Sequence, residues 1–289
     1  MLFSAPLLPP LSLPLPPLAS PLASLFPAPL PSSLPLSLPI TVAGSIPCVS
    51  ERRSKMSFEA SPQTWMCRAA AFELLSLVFL PPSREAARAL TAGEFSDACG
   101  EALSGMGCAP GAVGEVVDGL APCAGGDAEE TYHAIRREHT RLFVGEREPL
   151  VTPFLGVWDA QRRGQRGLLF VGEKSMETER FMRRCGVGKD LAAGQANDPV
   201  DHVGTLCEFG KFLCLVNARA VQPAEGACIE PGDFERFFSG FFEPYARWCA
   251  ERVRALSACP FYRAMARMLD CVCDGVFGEA AREVQAAGA

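Results

Sequence analysis

Apolar residues recur at steps of three and four along most of this chain, the spacing that gives a helix one buried face. Alternation at a step of two, the signature of a half-buried strand, is nearly absent. Ser61 followed by Pro62 predicts a helix start, and the run Trp65, Phe72, Leu75 and Phe79 predicts its buried side up to a stop at Pro81-Pro82. Ser83 to Leu90 predicts a second, alanine-rich helix, and the Gly- and Ala-rich stretch 105–126 predicts short helices and loops. Asp127 then caps a helix bearing Tyr132, Ile135, His139, Leu142 and Phe143, with Glu129 and Glu130 in the first turn and arginines later, as the helix dipole favours. A loop with Pro149 and Pro153 follows, then a helix from Glu173 to Cys185 that ends at Gly186. The polar stretch 195–202 leads into a helix carrying Val203, Leu206, Gly210, Leu213 and Asn217, with Asp198 expected as its N-cap and Asp201 in its first turn. Glu243-Pro244 and Pro260 open the last two helices, one through Trp248 to Leu256, the other through Met265, Leu269 and Val276. The expectation is a single all-α domain over residues 56–277, with 278–289 as an Ala-rich frayed tail.

The first fifty residues have another character. They hold no Asp, Glu, Lys or Arg, and thirteen of the chain's 25 prolines lie between Pro6 and Pro47. A secretory signal needs a basic start and an unbroken apolar run, and neither is present. A spanning helix fails for the same reason, because proline every few residues removes backbone donors. Glu51-Arg52-Arg53-Ser54-Lys55 precedes Met56, where the helical pattern sets in. The expectation is that translation starts at Met56 and that residues 1–55 are upstream sequence with no structure of their own. Without them the net charge falls from −6 to −8, since Glu51 goes together with Arg52, Arg53 and Lys55.

An acidic balance excludes general binding to nucleic acid or to anionic membranes. The 13 cysteines form no C-x-x-C pair, and Cys271-Val272-Cys273 is the closest spacing. With three histidines in the chain, a zinc site of standard spacing is not expected. Cysteines among apolar neighbours, such as Cys207 and Cys214, read as small buried hydrophobes of a reducing, cytoplasmic compartment. No phosphate-binding glycine motif and no nucleophile elbow occurs, so neither a nucleotide cofactor nor hydrolysis by a serine is indicated.

Three segments carry a resemblance. Arg137-Glu138-His139-Thr140-Arg141-Leu142-Phe143-Val144-Gly145 is similar to an E-(Y/F)-x-R-L-F-x-G helix end. Pro153-Phe154-Leu155-Gly156-Val157-Trp158 is similar to a P-(Y/W)-E-S-V-Y loop. Asp198-Pro199-Val200-Asp201-His202-Val203-Gly204 matches (E/D)-P-x-D-H-(I/V)-G, with Glu208-Phe209 after it. Together with Trp248 and Pro260-Phe261-Tyr262, these resemble the TorD/DmsD family of maturation chaperones for molybdenum redox enzymes, over about residues 65–276. The departures are Leu206 where many members carry a first glutamate, Leu155-Gly156 in place of E-S, and Trp158 in place of tyrosine.

The resemblance implies an all-helical cytoplasmic chaperone, monomer or homodimer, that is no enzyme and holds no cofactor or metal. Similar proteins can exchange helices between protomers, with 186–198 as the hinge here. Its partner would be the catalytic subunit of a molybdopterin oxidoreductase, taken by its N-terminal twin-arginine signal peptide and held until the cofactor is inserted. Asp198, Asp201 and Glu208 would pair with the arginines through charge-assisted bonds, with His202 beside them. Phe143, Phe154 and Trp158 would line an apolar groove for the rest of the peptide. Phe143 and Trp158 also fit a core role, His139 a buried structural one, and Arg183-Arg184 a solvated helix face. Two other functions stay open: assembly of a non-exported, nitrate reductase-type subunit, and a small helical hydrolase using a metal with Asp201 and His202.

Overall fold

The computed structural model describes residues 60–145, 148–166, 172–188 and 199–287, with the side chains of the last helix described up to Val276. The leader 1–55 and Asp198 therefore lie outside the described residues, as does most of the expected hinge 186–198.

The first helix, α1 (Pro62–Phe79), forms where the sequence places it. Ser61 Oγ accepts the Thr64 N–H at 3.1 Å, and Pro62 occupies the first turn, where a missing N–H costs nothing. Trp65, Phe72, Leu75 and Phe79 are all buried, along with most of the opposite face, so α1 runs through the centre of the molecule. Two short helices, α2 (Arg84–Ala92) and α3 (Glu94–Gly105), follow, then α4 (Pro110–Leu120). The stretch 105–126 thus contains an α-helix, started by Pro110 and burying Val113, Val116 and Leu120, and a short 3-10 helix over Ala121–Cys123. Asp127 caps α5 (Ala128–His139), accepting the N–H groups of Glu129 and Glu130 at 3.0 and 2.8 Å. A π-helical turn over Thr140–Val144 extends α5.

After the 148–154 loop come α6 (Leu155–Arg162), α7 (Glu173–Arg184) and α8 (Val203–Asn217). The helix α8 lies along α1, and this pair forms the main contact of the core. One turn of helix, α9 (Asp233–Phe237), and a π-helical turn over Phe238–Phe242 lead into α10 (Glu243–Leu256). Phe234, Phe237, Phe238, Phe241 and Phe242 are buried there, and Phe234, Phe237 and Phe242 meet Phe72 of α1 at ring centroid distances of 5.0 to 6.4 Å. The helix expected from Glu243-Pro244 to Leu256 starts and ends there, and burial of five phenylalanines on one side winds the ten residues before it into helical turns as well. The final helix, α11 (Pro260–Ala287), packs against α10 and α4 and continues through the stretch expected to fray. Ala, Glu, Arg and Gln dominate that end, and all are strong helix formers.

The described residues contain no β-strand, only one isolated antiparallel bridge between Phe154 and His202. The all-α, single-domain expectation is met. Among the described residues, no single helix is long and apolar enough to cross a membrane.

Candidate functional site

The bridge at Phe154 and His202 is the hinge point of the site. Extended backbone on both sides exchanges two hydrogen bonds: Val203 N–H donates to Pro153 O at 2.8 Å, and Leu155 N–H donates to Asp201 O at 3.0 Å. The second and third family-like segments are therefore stitched together, although 45 residues separate them in sequence.

Asp201 completes this joint. Its side chain is buried at 1% exposure, and one carboxylate oxygen accepts both the Gly156 N–H at 2.7 Å and the Ser175 hydroxyl at 2.6 Å. Gly156 lies in the first turn of α6, whose N-cap position, Phe154, offers no side-chain acceptor. Asp201 thus caps α6 from a distance, satisfying an otherwise orphaned donor and placing negative charge at the positive end of the helix. The other oxygen has no hydrogen-bond partner among the described residues. The expected place of Asp201, in the first turn of α8, is corrected by this arrangement. The N-cap of α8 is His202, whose Nδ1 accepts the Gly204 N–H at 3.1 Å, and the first turn of α8 holds no acidic residue.

The Leu155-Gly156 departure has a steric reason. A Cβ at position 156 would fall 2.0 Å from Ser175 Oγ and 2.9 Å from Asp201 Oδ2. The hydroxyl that serves Asp201 comes from Ser175 on α7, and only glycine leaves room for it.

Burial disfavours the charged form of His139 and His202. Burial pushes His202 down to about 4, with His139 nearby adding to the effect. Burial likewise lowers His139, whose Nε2 lies 3.2 Å from the Phe79 carbonyl oxygen. The His202 ring stands edge-on to Phe154 at 5.4 Å. Asp201 and His202 therefore face different neighbours, and among the described residues no group of three or more His, Cys, Asp or Glu is placed to hold a metal.

Beside the joint opens a groove of about 480 Å³, lined mainly by Pro149, Leu150, Phe154, Val157 and Trp248, with Glu148, Gln161 and Arg252 as its charged and polar members. Leu150 is exposed in it at 42%. Its floor is fixed from behind: Tyr245 donates its hydroxyl to Thr152 O at 2.8 Å, and Trp158 lies 5.4 Å from Tyr245 and 6.3 Å from Trp248.

The expected site residues accordingly separate. Phe154 lines the groove, Trp158 is buried behind it, and Asp201 and His202 fix its loop. Phe143 lies in the core between Phe79, His139 and Tyr262, at 5.3 to 5.9 Å. Glu208 is on the side of α8 facing α1. Burial raises its carboxyl to about 7, against a lowering pull from Lys211 and a further push from Glu73, the two being joined at 2.7 Å. Arg252 and Gln161 were not foreseen. Arg252 follows Trp248 by one helical turn, and that spacing was the signal available.

The first family-like segment is a structural clamp. Glu138 accepts two bonds from Arg141 at 2.8 and 2.7 Å and one from Ser257 at 2.5 Å, while Arg141 donates to Leu256 O at 2.7 Å. This ties the end of α5 to the end of α10. Gly145 N–H donates to Thr140 O, and Val151 N–H to Leu142 O, which launches the loop toward the groove.

A search of curated proteins finds no match to this chain. Residues 107–249, just under half of the chain, match the family model described as the nitrate reductase delta subunit. That span contains Glu138 and Arg141 of the clamp, the stitched joint and most of the groove. It supports the family of redox enzyme maturation chaperones as a whole, without singling out the TorD/DmsD branch.

Proposed function

We propose that the chain is an assembly chaperone that binds an N-terminal segment of the apo catalytic subunit of a molybdoenzyme in the groove between Phe154 and Trp248. The observation that carries this reading is the coincidence of the family match with the groove: the matched residues include eight of the nine that line it, Arg252 alone lying beyond. The action is binding without bond chemistry. A cleft with aromatic and aliphatic walls takes up an apolar stretch of peptide, and Glu148 and the acidic surface attract arginines that flank it. In the first form of the proposal the segment is a twin-arginine signal, and the chaperone holds the subunit in the cytoplasm until its cofactor is in place. Asp201 then acts as a positioning residue, since its buried carboxylate shapes the loop that the peptide meets.

A second form is favoured by the description of the matching family: the client is a nitrate reductase-type subunit that is not exported. One experiment tests the proposal and separates the forms. The chain is co-expressed with a molybdoenzyme subunit bearing a twin-arginine start, and with one lacking it, and the molybdopterin content of each purified subunit is measured. A gain confined to the first client supports the export form, and a gain confined to the second supports the nitrate reductase form. No gain in either removes the chaperone reading.

A further inference from the structure

Away from the groove, the end of α7 meets the segment that precedes α9. Cys228 N–H donates to the carbonyl of Arg184 at 2.8 Å, and Arg184 Nη1 donates back to the carbonyl of Cys228 at 3.0 Å. The accepting carbonyl belongs to the peptide unit that leads into Cys185. A Cβ built on the following residue, Gly186, would stand 2.7 Å from that of Ala227. The backbones of 184–186 and 227–228 therefore lie side by side, and the Cys228 thiol is near enough to Cys185 to act on it electrostatically. Arg184 is itself fixed by Asp233 at 2.6 Å, so the pair sits on a braced frame. Cys228 is exposed, whereas Cys185 is buried. One thiol can be reached from solvent and the other waits behind it.

We infer that Cys185 and Cys228 form a dithiol site that reacts with low-molecular-weight disulfides and closes to an intramolecular disulfide. The Cys228 thiolate attacks glutathione disulfide, forming a mixed disulfide and releasing one glutathione thiolate. The Cys185 thiolate then attacks the Cys228 sulfur, forming the protein disulfide and releasing the second. The two protons lost by the protein thiols go to the two glutathione thiolates, so two thiols are oxidised and one disulfide is reduced. The bond would tie α7 to the entry of α9 and bracket α8 in the chain. This inference is independent of the proposed client.

The charges facing Cys185 are Arg184, Asp233 and Arg236, with the Cys228 thiol beside them, and burial with Asp233 pushes the Cys185 thiol up to about 11. The second step should therefore be slow at neutral pH and speed up about tenfold per pH unit.

The test treats the whole chain with glutathione disulfide at pH 7 and pH 8, quenches with acid, and maps the cysteines by peptide mass spectrometry. The expected result is a transient adduct on Cys228, then a cross-linked peptide joining Cys185 and Cys228, formed about tenfold faster at pH 8. Cys228→Ser should abolish both species, Cys185→Ala should stop at the adduct, and Cys123→Ser should change neither. Helical circular dichroism checks that each variant is folded, and if Cys185→Ala is not, Cys228→Ser and the wild-type map decide alone. An adduct that persists at pH 8, or a cross-link between other cysteines such as Cys123 and Cys259, overturns the inference.

Discussion

The carboxylate of Asp201 holds the backbone N–H of Gly156 at 2.7 Å, so the start of α6 is capped by a residue of the loop just before α8. Asp201→Ala should lower the stability of the protein by about 2–3 kcal/mol, since a buried N–H and the Ser175 hydroxyl lose a charged acceptor. Denaturant unfolding measures the loss. Peptide affinity should fall as well, because the loop carrying Phe154 loses its anchor.

Gly156→Ala should be destabilising by about 1–3 kcal/mol, the range for forcing atoms into a packed site. Its cause is specific: the new methyl would collide with Ser175 Oγ. The cost should shrink when Ser175 is changed to Gly in the same protein, so a double-mutant cycle over Gly156→Ala and Ser175→Gly should show coupling. Additive costs would mean that the glycine is required for another reason.

Glu138→Ala should reduce stability by about 1–3 kcal/mol through loss of the Arg141 and Ser257 bonds, without altering peptide affinity. Measured together, thermal unfolding and peptide titration would separate this clamp from the groove. A variant of full stability and lost binding would move the site to Glu138.

Two half-buried groups set opposite trends with pH. His202 titrates near 4 in the folded protein and near 6.5 unfolded, so its contribution is complete above pH 6.5 and is lost as pH falls toward 4. Glu208 is raised to about 7 from an ordinary 4.5, so its contribution is complete below pH 4.5 and is lost as pH rises through 7. Glu208→Gln should therefore gain stability relative to the natural protein as pH rises from 5 to 8, by roughly 1 kcal/mol or more. Unfolding curves at the two pH values give the answer, and an unchanged difference would show that Glu208 is not held protonated.

The helices were legible because their signals are local. Ser61-Pro62, Asp127 and Glu243-Pro244 mark starts, and Phe72 or Val203 mark the buried faces. The helical turns before Glu243 had a signal too, since Phe234, Phe237, Phe238, Phe241 and Phe242 recur at steps of three and four, but Glu243-Pro244 is the stronger local start mark and drew the boundary to itself. The site was half legible. Phe154, Asp201 and His202 do come together, but through an isolated bridge that no periodicity announces. Asp201 was expected in the first turn of α8, since a carboxylate near a helix start is normally read as serving that helix. It serves α6 instead, and only the fold brings that helix to it. Arg252 and Gln161 escaped because an exposed polar residue on a helix looks alike whether it borders solvent or a groove.

The central claim is that the groove between Phe154 and Trp248 receives the client segment. Calorimetric titration of the N-terminal peptide of a molybdoenzyme catalytic subunit, into the natural protein and into Trp248→Ala, tests it most directly. Trp248 is half-buried against Trp158 and Tyr245, so circular dichroism should first confirm the fold of the variant. The account predicts binding to the natural protein and a loss of about 2 kcal/mol, more than tenfold in affinity, in the variant. Equal affinity for both proteins would contradict it.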